Sequence, residues 1–232
     1  LPGKPWVWRA HFPEWHTEVD SILLSEGFHV VYLSTNDMFG SNAAMKIWDA
    51  FYEYLVRQRG FSPIVALEGV SRGGLYIYQW AKRNPLKVSC IYAEAPVCDI
   101  KSWPGGKGKG KGSPQDWNKL LTEYQFSEVD ALGFLDNPMD NLQGLAACKI
   151  PILHSVSLKD SIVPYLENTF PLVQRYINLG GPATIMLMLF LFSVLMGQFL
   201  SAVIMFWVLS MIAWWQFLEM YTTNLRKFML KL

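Results

Sequence analysis

The chain has 232 residues, 51% of them hydrophobic, and a formal net charge of +1 at pH 7. A nearly neutral chain of this length suits one α/β domain, and it gives no indication of a nucleic-acid partner. Its three cysteines follow neither a zinc-site spacing nor a disulfide pattern, so we expect no metal and no cofactor.

Predicted strands and helices alternate through residues 1–184, which favours a mostly parallel sheet with helices on both faces. We expect strands at 5–12, 29–35, 63–67, 89–96 and 151–157, and a further strand beginning at 182–185. We expect helices at 17–28, 42–60, 72–84 and 167–181. The alternation fails between residues 97 and 150, where a Gly/Lys loop at 102–117 precedes two short helical stretches. This insertion is expected to lie over the carboxyl ends of the strands, as a lid does.

Residues 69–73 read Gly-Val-Ser-Arg-Gly, the G-x-S-x-G pattern of a nucleophile elbow. The pattern follows the apolar run 63–67 and opens the helix expected at 72–84, which is the strand–turn–helix context that the motif requires. Glycines on either side permit a strained turn that holds the serine oxygen clear of the sheet. Ser71 is therefore the candidate nucleophile of a serine hydrolase.

Five segments together resemble bacterial α/β-hydrolases of the prolyl-oligopeptidase-like and esterase-like group. They are GKPWVWRAHF, LLSEGFHVVYLSTNDMFGS, VALEGVSRGGLYIYQWAKRNP, YAEAPVCDIKSWPGG and LKDSIVP. The resemblance covers about residues 3–185 and implies an α/β-hydrolase fold acting on a small ester or amide. It also implies Ser71 as the nucleophile and Asp160 as the triad acid. The backbone amides of Arg72 and of Arg9 or Ala10 would form the oxyanion hole.

The sequence departs from this family at two places, so we expect a sheet truncated at both ends. The family begins with an antiparallel pair of strands before PWVWR. It also places its catalytic histidine after the last strand, whereas this chain runs there into an apolar segment. Because the expected chain order is Ser, acid, His, the triad lacks its base.

The sequence contains four histidines: His11, His16, His29 and His154. None of them follows Asp160, so we expect the hydrolase to be impaired. The two within predicted strands, His29 and His154, are expected to be structural. His16 follows the first strand and is a weak candidate for a substitute base. Two carboxyl groups near strand ends, Glu68 and Glu94, are expected to border the site rather than to act in catalysis.

Residues 185–218 form a nearly unbroken apolar segment without any charged residue. As a helix rising ~1.5 Å per residue it would be about 50 Å long, more than the ~30 Å that a bilayer core requires. Tryptophans gather toward its end, and a short basic tail, 219–232, follows. We therefore expect a transmembrane or apolar helix over 185–218 with membrane lipid as its partner. The hydrolase domain, 1–184, would then be membrane-associated on the extracytoplasmic side.

Three functional interpretations are open. The first is a serine hydrolase with an incomplete triad. The second is a non-catalytic, membrane-tethered binding protein with a hydrolase fold. The third is a family hydrolase whose C-terminal end is a frame-slipped or misassembled sequence, which would explain why seven of the ten methionines lie within 186–229.

Overall fold

The computed structural model describes residues 1–188, which contain a six-stranded, entirely parallel sheet. The strands are β1 (Trp6–Ala10), β2 (His29–Tyr32), β3 (Val65–Val70), β4 (Val88–Glu94), β5 (Ile152–Ser157) and β6 (Ala183–Met188). Their order across the sheet is β2-β1-β3-β4-β5-β6. Parallel neighbours need crossover connections, which is why strands and helices alternate along the sequence. The predicted mostly parallel sheet is confirmed.

Within residues 1–188, seven α-helices connect or flank the strands. They are α1 (Glu18–Ser25), α2 (Asn42–Glu53), α3 (Gly73–Arg83), α4 (Pro114–Tyr124), α5 (Glu128–Leu132), α6 (Gln143–Ala147) and α7 (Thr169–Asn178). A π-helical turn, Tyr54–Gln58, extends α2. The insertion 97–150 thus contains three helices rather than the two stretches predicted. The Gly/Lys loop ends before residue 114 because the Ser113 side chain caps α4, with Pro114 in its first turn.

Side chains alternate between the two faces of the sheet, and each face has its own apolar core. On one face, Trp8 of β1 is fully buried and stacks on Trp48 of α2, with ring centroids 4.2 Å apart. Trp80 of α3 meets the Trp8 ring at 5.2 Å. On the other face, Val7 packs in a smaller core with Leu23 of α1. Helices therefore cover both faces, as predicted.

A buried ion cluster joins α1 to the sheet on the side of the smaller core. Nη1 of Arg9, in β1, donates at 2.7 Å to Asp20 of α1 and at 2.7 Å to Glu68 of β3. All three residues are buried. Burial, together with the Asp20 carboxylate, raises the pKa of Glu68 to about 8. One guanidinium thus faces two carboxyl groups, and burial favours the protonated form of Glu68.

The predicted apolar helix cannot begin at residue 185, because residues 185–188 belong to β6. Ile185 pairs with His154 of β5 and packs against the main core. Pairing with β5 supplies backbone partners that an apolar composition alone does not specify. The expected beginning of a strand at 182–185 is confirmed, since β6 begins at Ala183. The rest of the predicted apolar segment and the basic tail, 189–232, lie outside the described residues. Across residues 1–188, no helix has the length and apolar character needed to cross a bilayer.

Replacing Glu68 with Gln should remove a pH dependence of stability. The pKa of Glu68 is about 8 in the folded chain, against an ordinary value of 4.5. Between pH 4.5 and pH 8, therefore, the Glu68 carboxyl is protonated mainly in the native state and ionised mainly in the unfolded state. The contribution of Glu68 to the free energy of unfolding therefore falls as pH rises through this window. We expect the unfolding free energy of Glu68→Gln, relative to wild type, to increase from about pH 5 to about pH 8 in denaturant titrations.

Glu26→Gln, at an exposed carboxyl after α1, is the matched control and should show no comparable trend. A difference between Glu68→Gln and wild type that stays constant across the window would contradict the retained proton.

Candidate active site

Ser71 lies at the turn between β3 and α3, where the elbow motif predicted it. Its φ of +52° is in the left-handed region that non-glycine residues rarely adopt. The Ser71 N–H donates to the carbonyl of Glu94 at 2.8 Å, and its own carbonyl accepts from Val97 N–H at 2.8 Å. These bonds attach the turn to the end of β4 and hold the unfavourable backbone conformation in place.

Three glycines leave the space that this turn requires. A Cβ at Gly69 would lie 2.7 Å from Cδ1 of Ile77 in α3. At Gly74 it would lie 2.6 Å from the carbonyl oxygen of Val97. At Gly73 it would overlap the carbonyl oxygen of Ala10. The end of β1 therefore packs directly against the turn that carries Ser71.

The β1 loop, residues 11–16, follows that strand and is held by the Arg9 side chain. Nε and Nη2 of Arg9 donate to the carbonyl of Phe12 at 3.2 and 3.0 Å, and Nη2 also donates to the carbonyl of Trp15. Three residues of the loop have a left-handed backbone: His11 (φ +64°), Phe12 (φ +45°) and His16 (φ +50°). The buried guanidinium thus fixes a loop whose conformation is otherwise unfavourable.

His16 and Glu94 form a pair at the carboxyl edge of the sheet. Nδ1 of His16 donates to the Glu94 carboxylate at 2.8 Å. The His16 side chain is 48% exposed, whereas that of Glu94 is 17% exposed. Glu94 is also the residue whose backbone carbonyl accepts the Ser71 N–H. The sequence predicted Glu94 at the border of the site, but it did not indicate its contact with His16.

Asp160 lies in the turn after β5. Its Oδ1 accepts the N–H groups of Ile162 at 2.8 Å and Val163 at 2.9 Å, which fix the direction of the carboxylate. A cavity of about 430 Å³ separates this turn from the end of β4, and Glu94, Asp160 and Trp15 are among its lining residues. Neighbouring strands lie about 4.8 Å apart, so Ser71 at the end of β3 is one strand from Glu94 and two from β5.

Arg72 begins the N-terminal turn of α3 directly after Ser71. The first N–H groups of a helix have no intrahelical acceptor and favour negative charge, as an oxyanion site requires. Ala10 ends β1 beside the elbow, whereas Arg9 lies within the sheet between Tyr32 of β2 and Glu68 of β3. The oxyanion role of these backbone amides stays a prediction.

The insertion 97–150 contacts the elbow through the Arg72 side chain. The Arg72 guanidinium lies 4.6 Å from the ring centroid of Trp103, and Nη2 lies 3.5 Å from the carboxylate of Asp116. Lys111 N–H, in the Gly/Lys loop, donates to the carbonyl of Ser161 at 3.3 Å. The insertion therefore borders both the Ser71 turn and the Asp160 turn, at the edge where a lid was expected.

The three other histidines differ from His16 in their surroundings. His154 is fully buried, and its two ring nitrogens hydrogen-bond with the hydroxyls of Tyr78 (2.5 Å) and Thr169 (2.9 Å). Burial lowers the pKa of His154 to about 3. His29 is the first residue of β2, so it lies at the amino ends of the strands, opposite the carboxyl edge where Ser71 lies. The core position expected for His154 is confirmed, and the structural role of His29 stays a prediction. Burial, and then the charge of Arg72, lower the pKa of His11 to about 4.

Solved structures with a similar fold are lipases, esterases and peptidases. A monoacylglycerol lipase from Paleococcus ferrophilus aligns with a TM-score of 0.59 at 18% identity, over 91% of this chain and 96% of that one. Est1E from Butyrivibrio proteoclasticus aligns with a TM-score of 0.61 at 15% identity, over 91% and 90%. A puromycin-hydrolysing peptidase from Mycobacterium tuberculosis aligns with a TM-score of 0.63 at 15% identity, over 80% of this chain but 30% of that one.

The described part of the chain therefore has the fold of these hydrolases, the α/β-hydrolase fold. No protein-family model and no curated protein matches the sequence.

Gly73→Ala should destabilise the protein because the added methyl group would overlap the backbone carbonyl of Ala10. Neither the end of β1 nor the first turn of α3 can move without disturbing the sheet, so we expect a loss of about 1–3 kcal/mol in unfolding free energy. Gly144→Ala is the matched control. Its Cβ would meet Pro85 at an ordinary 3.7 Å within α6, where alanine is the better helix former. Equal stability of the two variants in thermal unfolding would show that β1 and the elbow do not pack as described.

Proposed function

We propose that the protein is a serine hydrolase that transfers the acyl group of a small ester or amide to Ser71 and then to water. The observation that carries this proposal is the left-handed Ser71 at the turn between a strand and a helix N-terminus. In a turn of this kind, the serine hydroxyl and the N–H of the next residue, here Arg72, can act on the same substrate carbonyl. The lipase, esterase and peptidase folds that align with this chain support the same reaction class.

The reaction would follow the two-step course of acyl transfer. The Ser71 oxygen attacks the substrate carbonyl while its proton passes to a base, and the resulting oxyanion is held by the Arg72 amide and an amide after β1. Collapse of this intermediate expels the alcohol or amine, which takes up the proton. Water then releases the acid by the reverse proton route. We propose Asp160 as a carboxylate that lies ready to orient a base, since two backbone N–H groups hold it.

We expect turnover to be slow compared with that of a complete Ser-His-Asp triad, because residues 161–232 contain no histidine for Asp160 to orient. In subtilisin, loss of the histidine lowers kcat by roughly 10⁶-fold, and the remaining catalysis comes from the oxyanion hole and substrate binding. We therefore expect reaction at Ser71 to be detectable with activated esters and covalent probes rather than with ordinary amides.

A fluorophosphonate probe at high concentration should modify wild-type protein slowly, and peptide mass spectrometry should find the adduct on Ser71. Ser71→Ala should abolish both this adduct and the slow hydrolysis of p-nitrophenyl acetate, because both need the same oxygen. Ser21→Ala, in α1, removes a hydroxyl that donates to the Thr17 carbonyl and should leave both reactions unchanged.

Equal ester hydrolysis by wild type and Ser71→Ala, with no adduct at residue 71, would contradict the proposal. That result would favour a hydrolase-fold protein that binds without catalysis.

A further inference from the structure

We propose that His16, oriented by Glu94, is the general base that takes the proton of Ser71. This inference rests on the proposed serine hydrolase function and names the residue that would complete it. Among residues 1–188, the contacts of Glu94 connect the nucleophile to a histidine, although that histidine precedes the nucleophile in the chain.

Glu94 contacts both Ser71 and His16. Its backbone carbonyl accepts the N–H of Ser71 at 2.8 Å, which ties the end of β4 to the elbow. Its side-chain carboxylate accepts Nδ1 of His16, with the two oxygens at 2.8 and 3.0 Å. Since a carboxylate only accepts, the proton of the neutral imidazole is on Nδ1 and the lone pair is on Nε2. This is the tautomer that a general base requires.

The position of His16 follows from the bonds of Arg9. Arg9 holds the carbonyl of Trp15, the preceding residue, so the start of the His16 backbone is tied to the sheet. The Trp15 ring lies 4.7 Å from the His16 ring, and Trp15 shares the cavity wall with Glu94 and Asp160. His16 itself is half-exposed and contacts two residues of that wall, Trp15 and Glu94.

The other histidines do not meet these requirements. Both ring nitrogens of His154 are bonded within the core. His29 is at the amino edge of the sheet, packed against Phe61 at 4.8 Å. His11 stacks near Tyr76 and faces the Arg72 guanidinium, which disfavours the imidazolium that a base becomes. Within residues 1–188, no group bonds Nε2 of His16, so that nitrogen is available to accept a proton.

In the proposed step, the Ser71 O–H bond breaks as its oxygen bonds to the substrate carbonyl carbon. The proton moves to Nε2 of His16, and the Glu94 carboxylate stabilises the resulting imidazolium. The same proton then passes to the leaving alcohol or amine. In this proposal His16 acts directly on the Ser71 proton, whereas Glu94 acts through His16 and is a positioning residue.

His16→Gly is the variant that tests this base. The φ of +50° at residue 16 suits glycine, so the loop can keep its conformation when the ring is removed. We expect kcat for p-nitrophenyl acetate and the rate of fluorophosphonate labelling to fall about 100-fold, with KM unchanged. Added imidazole should restore much of the loss, because it can occupy the space left by the ring. His29→Gln is the matched control and should keep the wild-type rate.

Glu94→Gln tests the role of Glu94 in positioning His16. It also keeps the proposal testable if His16→Gly does not fold. It should lower kcat without changing KM, because the amide neither fixes the required tautomer nor stabilises an imidazolium. Thermal unfolding near that of wild type would show that the loss is not structural.

The outcomes separate this inference from the proposed function. Ser71-dependent labelling that continues at the wild-type rate in His16→Gly would overturn the assignment of the base and leave the serine hydrolase intact. A wild-type protein that never reacts at Ser71 would overturn both. A loss in His16→Gly that imidazole does not restore, together with unchanged rates in Glu94→Gln, would also count against the pair.

Discussion

The Arg9 guanidinium is the group on which both the sheet and the candidate site depend. One of its nitrogens contacts carboxyl groups from α1 and β3, while the other two donate to the carbonyls of Phe12 and Trp15. A buried charge is tolerated only when its hydrogen-bonding groups are satisfied, and here all three nitrogens have acceptors. The planar fork of arginine meets this demand, whereas a lysine ammonium, with fewer donors on a single nitrogen, could not. The β1 loop is therefore attached to the core as well as to its own strand.

The parallel sheet explains why the β1 loop and the candidate site residues lie at the same edge. Because all six described strands point the same way, the turns after β1, β3, β4 and β5 meet at one edge. β3 contributes Ser71, β4 contributes Glu94 and β5 contributes Asp160. The β1 loop contributes His16 to the same edge. These four residues come from different parts of the chain, and the parallel strands that precede them end at one edge of the sheet.

The local patterns were sufficient to predict the sheet and the elbow. The hydrophobic periodicity of strands and helices can be read from short segments of sequence. The glycines around Ser71 are needed because larger residues would not fit in that one turn. The apolar composition of residues 185–188 was not sufficient, because the same residues suit a buried strand or a helix until a neighbouring strand provides partners. The pairing of Ile185 with β5 favours the strand over the helix.

The His16–Glu94 pair was not predicted, because it joins residues that are 78 positions apart. The contact also requires a left-handed backbone at His16, which no periodic pattern encodes. Arg9 was expected to offer its backbone amide to an oxyanion. That role stays a prediction. The contacts of the Arg9 side chain with the loop carbonyls were not predicted, because they depend on the loop folding back over β1.

The most direct measurement is a crystal structure of the protein after reaction with a fluorophosphonate. We expect a phosphonyl group on the Ser71 oxygen, with its phosphoryl oxygen about 2.7–3.1 Å from the Arg72 amide nitrogen. We also expect the His16 ring to remain bonded through Nδ1 to Glu94, with Nε2 directed at the Ser71 oxygen. A phosphoryl oxygen that points into solvent would contradict the proposed oxyanion site. A His16 ring that turns away from Ser71 and no longer bonds Glu94 would contradict the proposed base.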